Sequence, residues 1–75
     1  MKYKVGDLLI TKVDDISISL KDTNTYEYSN SNKIFLIINH YINEHSQIQY
    51  DLISQETGGI SDWNASAIDH CFNKV

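Results

Sequence analysis

Short runs in which apolar and polar residues alternate make up much of the chain. Residues 16–20 carry Ile, Ile and Leu at every second position with serines between them, and Tyr26 and Tyr28 alternate with polar residues shortly afterwards. Residues 48–52 repeat the pattern with Ile, Tyr and Leu. Because successive side chains of a strand point to opposite faces, this spacing predicts β-strands with one buried face and one wet face.

The first two runs are separated by the polar residues 22–24, which predict a turn. The runs on either side should therefore pair as a hairpin. We expect Tyr26 and Tyr28 to lie opposite the isoleucines of the first strand, since aromatic and β-branched side chains pair favourably across strands.

Residues 34–38 are apolar at every position, so both faces of this strand are apolar. That pattern predicts the most buried strand, at the centre of a sheet. Gly58 and Gly59 then mark a reversal that favours positive φ, and the returning strand carries Trp63, the only tryptophan. Gly6, near the start of the first apolar run, predicts a bulge or a close backbone approach.

One short helical turn is predicted near the end of the chain. Ser66 is placed to cap it, and Asp69 follows three residues later, where an acidic side chain can complete a capping box. The sequence shows no sustained 3.6-residue periodicity, so no long helix is expected.

These elements predict an all-β fold of five to six short antiparallel strands in one domain spanning residues 1–75. A flat sheet of this size would leave two unpaired edges and an apolar face in water. Closure into a small barrel would remove both problems, and we therefore expect a barrel.

The opening VGDLL, the later run YDLISQETGGISDW and the Ser-initiated turn together resemble the SH3-like small barrels, especially the small members encoded by bacteriophages. The resemblance implies an irregular excursion over residues 12–32, a distal hairpin at 55–59 and a helical turn at 66–70. The chain lacks the Ala-Leu-Tyr-Asp-Tyr motif and the tandem tryptophans of signalling SH3 domains. Recognition of Pro-rich peptides therefore does not follow from the resemblance, although an aromatic groove is compatible with it.

Charge argues against nucleic acid as the partner. Ten acidic residues outnumber six lysines, the net charge is −4, and the chain has no arginine with which to read phosphates or bases. The single cysteine predicts a reducing setting, and the absence of an apolar leader or span predicts no secretion signal and no membrane insertion. We expect the protein in a host cytoplasm or in a virion.

Histidine and cysteine do not form a metal-binding pattern. His40 and His45 lie five residues apart across a predicted hairpin, and His70 adjoins Cys71. Adjacent residues of an extended segment point in opposite directions, and no second cysteine is present for a structural zinc site. We predict surface histidines, a buried cysteine and no metal or cofactor.

Catalytic groups are also not expected. Cys71 lacks an activating motif, and the paired carboxylates Asp14 and Asp15 fit a solvated turn better than acid–base chemistry. The Gly58-Gly59 pair lacks the following Lys-Ser or helix of a phosphate loop. The sequence therefore predicts no enzyme.

Aromatic residues are the most informative group. The five tyrosines and the tryptophan are too many for so small a core, so some must be exposed, either in ordinary packing at the barrel rim or as a contact surface. The resemblance places the excursion beside the returning strand. We therefore predict one protein-binding patch made of Tyr26, Tyr28 and Trp63.

The sequence thus favours a non-enzymatic protein-binding module of phage type. It would serve as a structural virion component, such as a capsid or tail accessory protein, or as a binder of a host or viral protein. The alternative is a small barrel that binds nucleic acid or nucleotides, since such barrels readily carry stacking aromatics.

Overall fold

The computed structural model describes residues 2–75, which form seven strands and one helix. In chain order they are β1 (Leu8–Thr11), β2 (Ile16–Ser19), β3 (Tyr26–Ser29), β4 (Ile34–Ile42), β5 (Ile48–Ser54), β6 (Ile60–Asn64), α1 (Ala65–Cys71) and β7 (Phe72–Lys74).

The strands form two antiparallel sheets. Five strands pair in the order β6-β5-β4-β1-β7, and β2 pairs with β3 as a separate hairpin. The predicted β-rich antiparallel fold with one short helix near its end is confirmed. The closed barrel of five to six strands is wrong, because the excursion contains a strand pair of its own. This hairpin joins β6 through the bond from the Lys21 amide to the Ile60 carbonyl (2.8 Å) rather than through a full ladder.

The hydrophobic core lies between the five-stranded sheet and the β2–β3 hairpin, with α1 at one end. Alternate residues of each strand point into it, as the period-two pattern predicts. The buried apolar side chains form one cluster: Tyr3, Leu9, Ile16, Ile18, Phe35, Ile37, Tyr50, Leu52, Ile68 and Phe72.

Strand β4 lies at the centre of the five-stranded sheet, as its apolar sequence predicts. Phe35 and Ile37 face the core and are buried. Ile34 and Leu36, on the opposite face, are only half-buried. The expectation that this is the most buried strand is wrong, because the chain supplies a second layer on one side only, and β5 has four buried residues against two in β4.

The hairpin register also differs from the expectation. Tyr28 lies opposite Ser17 and Tyr26 opposite Ser19, whereas Ile18 lies opposite Glu27. Directly opposed residues share a face of the sheet, so the tyrosines lie on the outer face with the serines. The isoleucines face the core, and the predicted pairing of tyrosines with isoleucines is wrong.

Chain reversals use the predicted residue types. Positive φ occurs at Gly58 (+74°) in the turn between β5 and β6, which confirms the expectation at that reversal. Four further residues with positive φ are Asp15, Asn24, Asn32 and Ser46. Gly6 has φ +96° but lies in a turn before β1, not in a bulge within a strand. The register irregularity of the sheet lies instead in β4, between Ile37 and Asn39.

Helix α1 begins one residue earlier than predicted. Asn64 is its N-cap, and its side-chain oxygen accepts a hydrogen bond from the Ala67 amide at 2.8 Å. The prediction of Ser66 as the cap is wrong, because the strand residue before the helix already satisfies the free amide. Asp69 does not close a capping box either. Its carboxylate accepts hydrogen bonds from Lys2 and Tyr3 and so ties the N-terminal segment to the helix.

Asn64→Ala is expected to lower the free energy of unfolding by about 1 kcal/mol, because the Ala67 amide loses its partner at the start of the helix. Urea denaturation followed by circular dichroism measures the change. Ser66→Ala is the matched control and should change stability by less than about 0.5 kcal/mol, since Ser66 lies exposed within the helix. A larger loss in Ser66→Ala than in Asn64→Ala would contradict the observed cap.

Candidate protein-binding site

Trp63 lies on β6, on the face that points towards the core. It stands opposite the buried Tyr50 on β5, and its ring meets Phe72 edge-on, with centroids 5.1 Å apart and an interplanar angle of 82°. Its indole N–H donates to the Ser61 hydroxyl at 2.7 Å. The ring is half-buried. Trp63 is therefore held rigidly by internal contacts while part of it remains accessible.

The two predicted contact tyrosines are the most exposed aromatic residues of the described chain. Tyr26 is 66% exposed and Tyr28 is 80% exposed, both on the outer face of β3. Tyr3 and Tyr50, in contrast, are buried and lie edge-on to each other in the core. Tyr3 and Tyr50 are thus buried in the small core, whereas Tyr26 and Tyr28 are exposed to solvent.

A narrow cleft of about 170 Å³ lies where β2 meets β6. Ser17 and Ser19 form one wall, and Trp63 belongs to the other. Since Tyr28 stands opposite Ser17 and Tyr26 opposite Ser19, the tyrosine pair lies one strand away from the cleft. Trp63, the serine wall and the tyrosine pair therefore follow one another across the surface, and we call Tyr26, Tyr28 and Trp63 together the aromatic patch.

The size of the cleft restricts what it can hold. Sites for small molecules usually measure about 300–1,000 Å³. A volume of about 170 Å³ suits a single side chain of a partner rather than a whole cofactor. This geometry suits recognition of a polypeptide, with one residue in the cleft and others against the tyrosines.

Two carboxylates lie near the aromatic patch, each on the opposite face of its strand from the neighbouring aromatic side chain. Asp62 lines the cleft and is exposed, with one carboxylate oxygen accepting a hydrogen bond from the Tyr41 hydroxyl at 2.9 Å. Glu27, between the two tyrosines in sequence, accepts a hydrogen bond from the Thr57 hydroxyl at 2.7 Å. The nearest lysines in sequence, Lys21 and Lys33, are each bound to another carboxylate. The charged side chains near the patch are therefore two carboxylates and two lysines that are already held in ion pairs.

The most buried charged group is Asp51, on the face of β5 that points away from the core. The Lys21 ammonium donates to both of its oxygens at 2.9 and 3.0 Å, and the Asn39 amide donates to one of them at 3.3 Å. The hydrogen bond to Asp51 raises the pKa of Lys21. Since Asp51 is already fully engaged, this cluster fixes the hairpin to the sheet and offers no free acid or base.

Cys71 lies half-buried at the end of α1. Burial raises the pKa of its thiol, an effect that nearby Lys12 only partly opposes. A nucleophilic cysteine needs a lowered pKa, so this environment disfavours reactivity. His40 lies on β4, His45 in the turn after it and His70 in the helix. Residues 2–75 contain no group of three or more His, Cys, Asp or Glu side chains positioned to hold a metal ion.

A second surface was not anticipated from the sequence. Leu8, Leu36, Ile53 and Ile60 are register partners across four adjacent strands and form one row on the side of the sheet away from the core. An open groove of about 590 Å³ runs along it. The signal for this surface was present in residues 34–38, whose second apolar face has no covering layer in a chain of this length.

Comparisons with known protein families, with curated proteins and with solved structures gave no match to this chain. In the described part of the chain, α1 is much too short to cross a bilayer.

Proposed function

We propose that this chain is a non-enzymatic protein-binding module of the SH3-like class that binds its partner through the aromatic patch. The exposure of Tyr26 and Tyr28 beside the Trp63 cleft carries the proposal. Aromatic side chains offer a large rigid surface and a polar group, and they dominate the energetics of many interfaces. A phage origin and a role as virion component or binder of a host or viral protein belong to the same proposal.

The order of elements supports the SH3-like class. A hairpin excursion separates the first two strands of the main sheet, β1 and β4, and lies within residues 12–32 as the resemblance implies. The β5–β6 hairpin provides the distal turn at residues 55–59, and the helix lies between β6 and β7. The excursion and β6 also lie side by side, which is the arrangement the proposed patch requires.

Packing supports a binding role for the tyrosines over a structural one. The described residues pair neither Tyr26 nor Tyr28 with another aromatic ring, and neither belongs to the core cluster. Removing these rings should therefore leave the fold intact while removing most of the contact area. If a partner buries one of these rings, truncating that tyrosine to alanine should weaken the binding free energy by about 2 kcal/mol, which is about 30-fold in affinity.

The test is affinity capture with the purified chain as bait, followed by quantitative mass spectrometry and calorimetry with the identified partner. Tyr28→Ala is expected to weaken binding by about 30-fold, and Tyr26→Ala by about tenfold or more. Ile42→Ala is the matched control, because Ile42 is 71% exposed but lies at the far end of β4. Partners retained equally by all three variants would contradict the aromatic patch.

The same preparation distinguishes this function from nucleic-acid binding. Titration with single-stranded oligonucleotides at several salt concentrations should give no binding near physiological salt, because the chain carries a net charge of −4 and has no arginine. Tight binding that weakens steeply with added salt would favour the alternative of a nucleic-acid-binding barrel.

A further inference from the structure

The side of the five-stranded sheet away from the core is an unusually apolar surface for so small a protein. We define the outer apolar face by six residues: Leu8, Ile10, Ile34, Leu36, Ile53 and Ile60. The first row runs through Leu8, Leu36, Ile53 and Ile60, and Ile10 pairs with Ile34 beside it. Leu8 is 45% exposed and the other five are half-buried. Nothing in residues 2–75 packs over this row.

We propose that a second copy of this chain covers the outer apolar face, so that the protein forms a two-fold symmetric dimer through sheet-to-sheet packing. This inference is independent of the proposed function of the aromatic patch. It rests on three properties of the face: its area, its charge and its lack of polar groups suited to a small ligand.

The area fits a dimer. Each outward-facing residue occupies about 4.8 Å between strands and about 6.6 Å along its strand, so the six residues cover roughly 190 Å² before side-chain relief is added. The smaller stable interfaces cover about 600 Å² per partner, of which about 57%, or roughly 340 Å², is apolar. Before side-chain relief the face therefore supplies a little more than half of that apolar area, which fits a weak dimer whose margin is polar.

Charge favours this face over the others for self-association. The chain carries a net charge of −4, so two copies repel each other wherever carboxylates meet. The hairpin side carries four carboxylates for which residues 2–75 provide no ion-pair partner: Asp14, Asp15, Asp22 and Glu27. On the outer side, Asp51 is paired with Lys21 at 2.9 Å, and the neighbouring Asp62 is the one carboxylate at that end of the face for which residues 2–75 provide no ion-pair partner. Self-association is therefore least opposed there.

Two-fold symmetry also separates the remaining charges. An axis that runs along the row sets each Leu36–Ile53 pair over the partner's copy of the same pair. It keeps each strand over its own copy in the reverse direction, so Asp51 lies over Gln55 of the other copy and Asp62 lies over the turn at Gly58. Apolar side chains meet apolar side chains, and Asp51 meets a neutral amide.

A small ligand fits the groove less well. Such sites combine an apolar lining with a few polar groups that fix orientation. The polar residues that line this groove are Ser54 and Gln55, but the side chain of Ser54 lies on the core side, opposite Phe35, and accepts a hydrogen bond from the Thr57 amide at 3.3 Å. The groove thus offers contact area with little means of orienting a ligand.

The dimer would leave the aromatic patch free, because the hairpin lies on the core side of the sheet. Each assembly would then present two patches, and a partner with repeated sites would bind with an affinity raised by avidity. This consequence rests on the proposed function, whereas the dimer itself does not.

Sedimentation equilibrium of the complete chain from about 1 μM to about 1 mM tests the proposal, with a dissociation constant expected in the micromolar range. Leu8→Lys should weaken the dimer by at least about tenfold, because it places a cation in the apolar row. Ile48→Lys is the matched control and should change the constant by less than about twofold, since Ile48 is 37% exposed but lies at the β4–β5 tip, outside the face.

A second measurement needs no substitution. Backbone amide resonances of the wild-type protein should shift with concentration at residues of the outer apolar face and stay constant in the hairpin. A monomer throughout the concentration range overturns the proposal. So does a dimer whose shifts map elsewhere, or one that Leu8→Lys leaves as tight as wild type.

Discussion

Leu52→Ala is expected to remove about 2–5 kcal/mol from the free energy of unfolding, because it leaves a cavity where a fully buried side chain packs. Leu52 lies on β5 opposite Ile37 and Ser61, so its side chain faces the core from the middle of the sheet. A domain of 75 residues has a total stability of about 4–11 kcal/mol. This one substitution should therefore remove a large part of the total stability and leave a measurable unfolded population at 37 °C.

Ile48→Ala is the control for this prediction. Ile48 belongs to the same strand and the same alternating set as Leu52, but it lies at the hairpin tip and is 37% exposed. Its truncation should cost less than about 1 kcal/mol. Urea denaturation of both variants, analysed with a common m-value, gives the difference. Equal losses in the two variants would mean that the core does not lie on the assigned face of β5.

Position in the sheet was predictable for β4 because it depends on the residues of that strand alone. Five consecutive apolar residues, from Ile34 to Ile38, are too costly to leave at a sheet edge. Coverage of the second face was not predictable in the same way, because it depends on how many layers the whole chain can build. With a hairpin and a short helix on one side of the sheet, no element remains for the other.

The register of the β2–β3 hairpin could not be predicted from the alternation of apolar and polar residues, for a different reason. Alternation shows which residues share a face within one strand, but the turn decides which faces of two strands coincide. The turn closes through a bond from the Leu20 amide to the Thr25 carbonyl at 2.9 Å, and this sets Ser17 opposite Tyr28. A shift of one residue would have turned the tyrosines inward.

The candidate site followed from the sequence only in outline. The excess of aromatic residues over core volume correctly required exposed tyrosines, and Tyr26 and Tyr28 are exposed. The cleft beside Trp63 could not be read from the chain, because it forms between elements about 45 residues apart, β2 and β6. The proposed partner contacts remain a prediction for the capture experiment.

The two surfaces have different physical origins, and this bears on how the protein would act. The aromatic patch arises because the hairpin register turns two tyrosines outward, whereas the outer apolar face arises because the sheet has no second layer. They lie on opposite sides of the molecule. A substitution in one should therefore leave the other unchanged, and their effects on partner binding and on self-association should be separable.

Alkaline pH is expected to destabilise the fold through Tyr3. This side chain is 6% exposed, and its hydroxyl donates a hydrogen bond to the Asp69 carboxylate. Burial and then the bond to Asp69 raise the pKa of Tyr3 from 10.0 to about 12. Between these values the unfolded phenol loses its proton while the folded phenol keeps it, so the unfolded state binds fewer protons and stability falls as pH rises.

The contribution of Tyr3 is fully present below about pH 10 and lost by about pH 12, and two pKa units correspond to at most about 2–3 kcal/mol. The pKa values of Lys21 and Tyr41 are also raised, which adds a loss of the same sign at high pH. The free energy of unfolding of the wild-type protein should therefore fall at alkaline pH by more than the contribution of Tyr3 alone.

The variant Tyr3→Phe measures the contribution of Tyr3 to this loss of stability. The variant keeps the ring that meets Tyr50 edge-on at 5.6 Å but has no proton to lose. It should be less stable than wild type by about 1 kcal/mol at pH 7, where a hydrogen bond is lost, and should lose less stability between about pH 9 and about pH 12. Urea denaturation across this range measures both slopes, with Tyr28→Phe as the exposed control that should follow wild type. Parallel curves for Tyr3→Phe and wild type would show that the Tyr3 phenol ionises alike in the folded and unfolded chains.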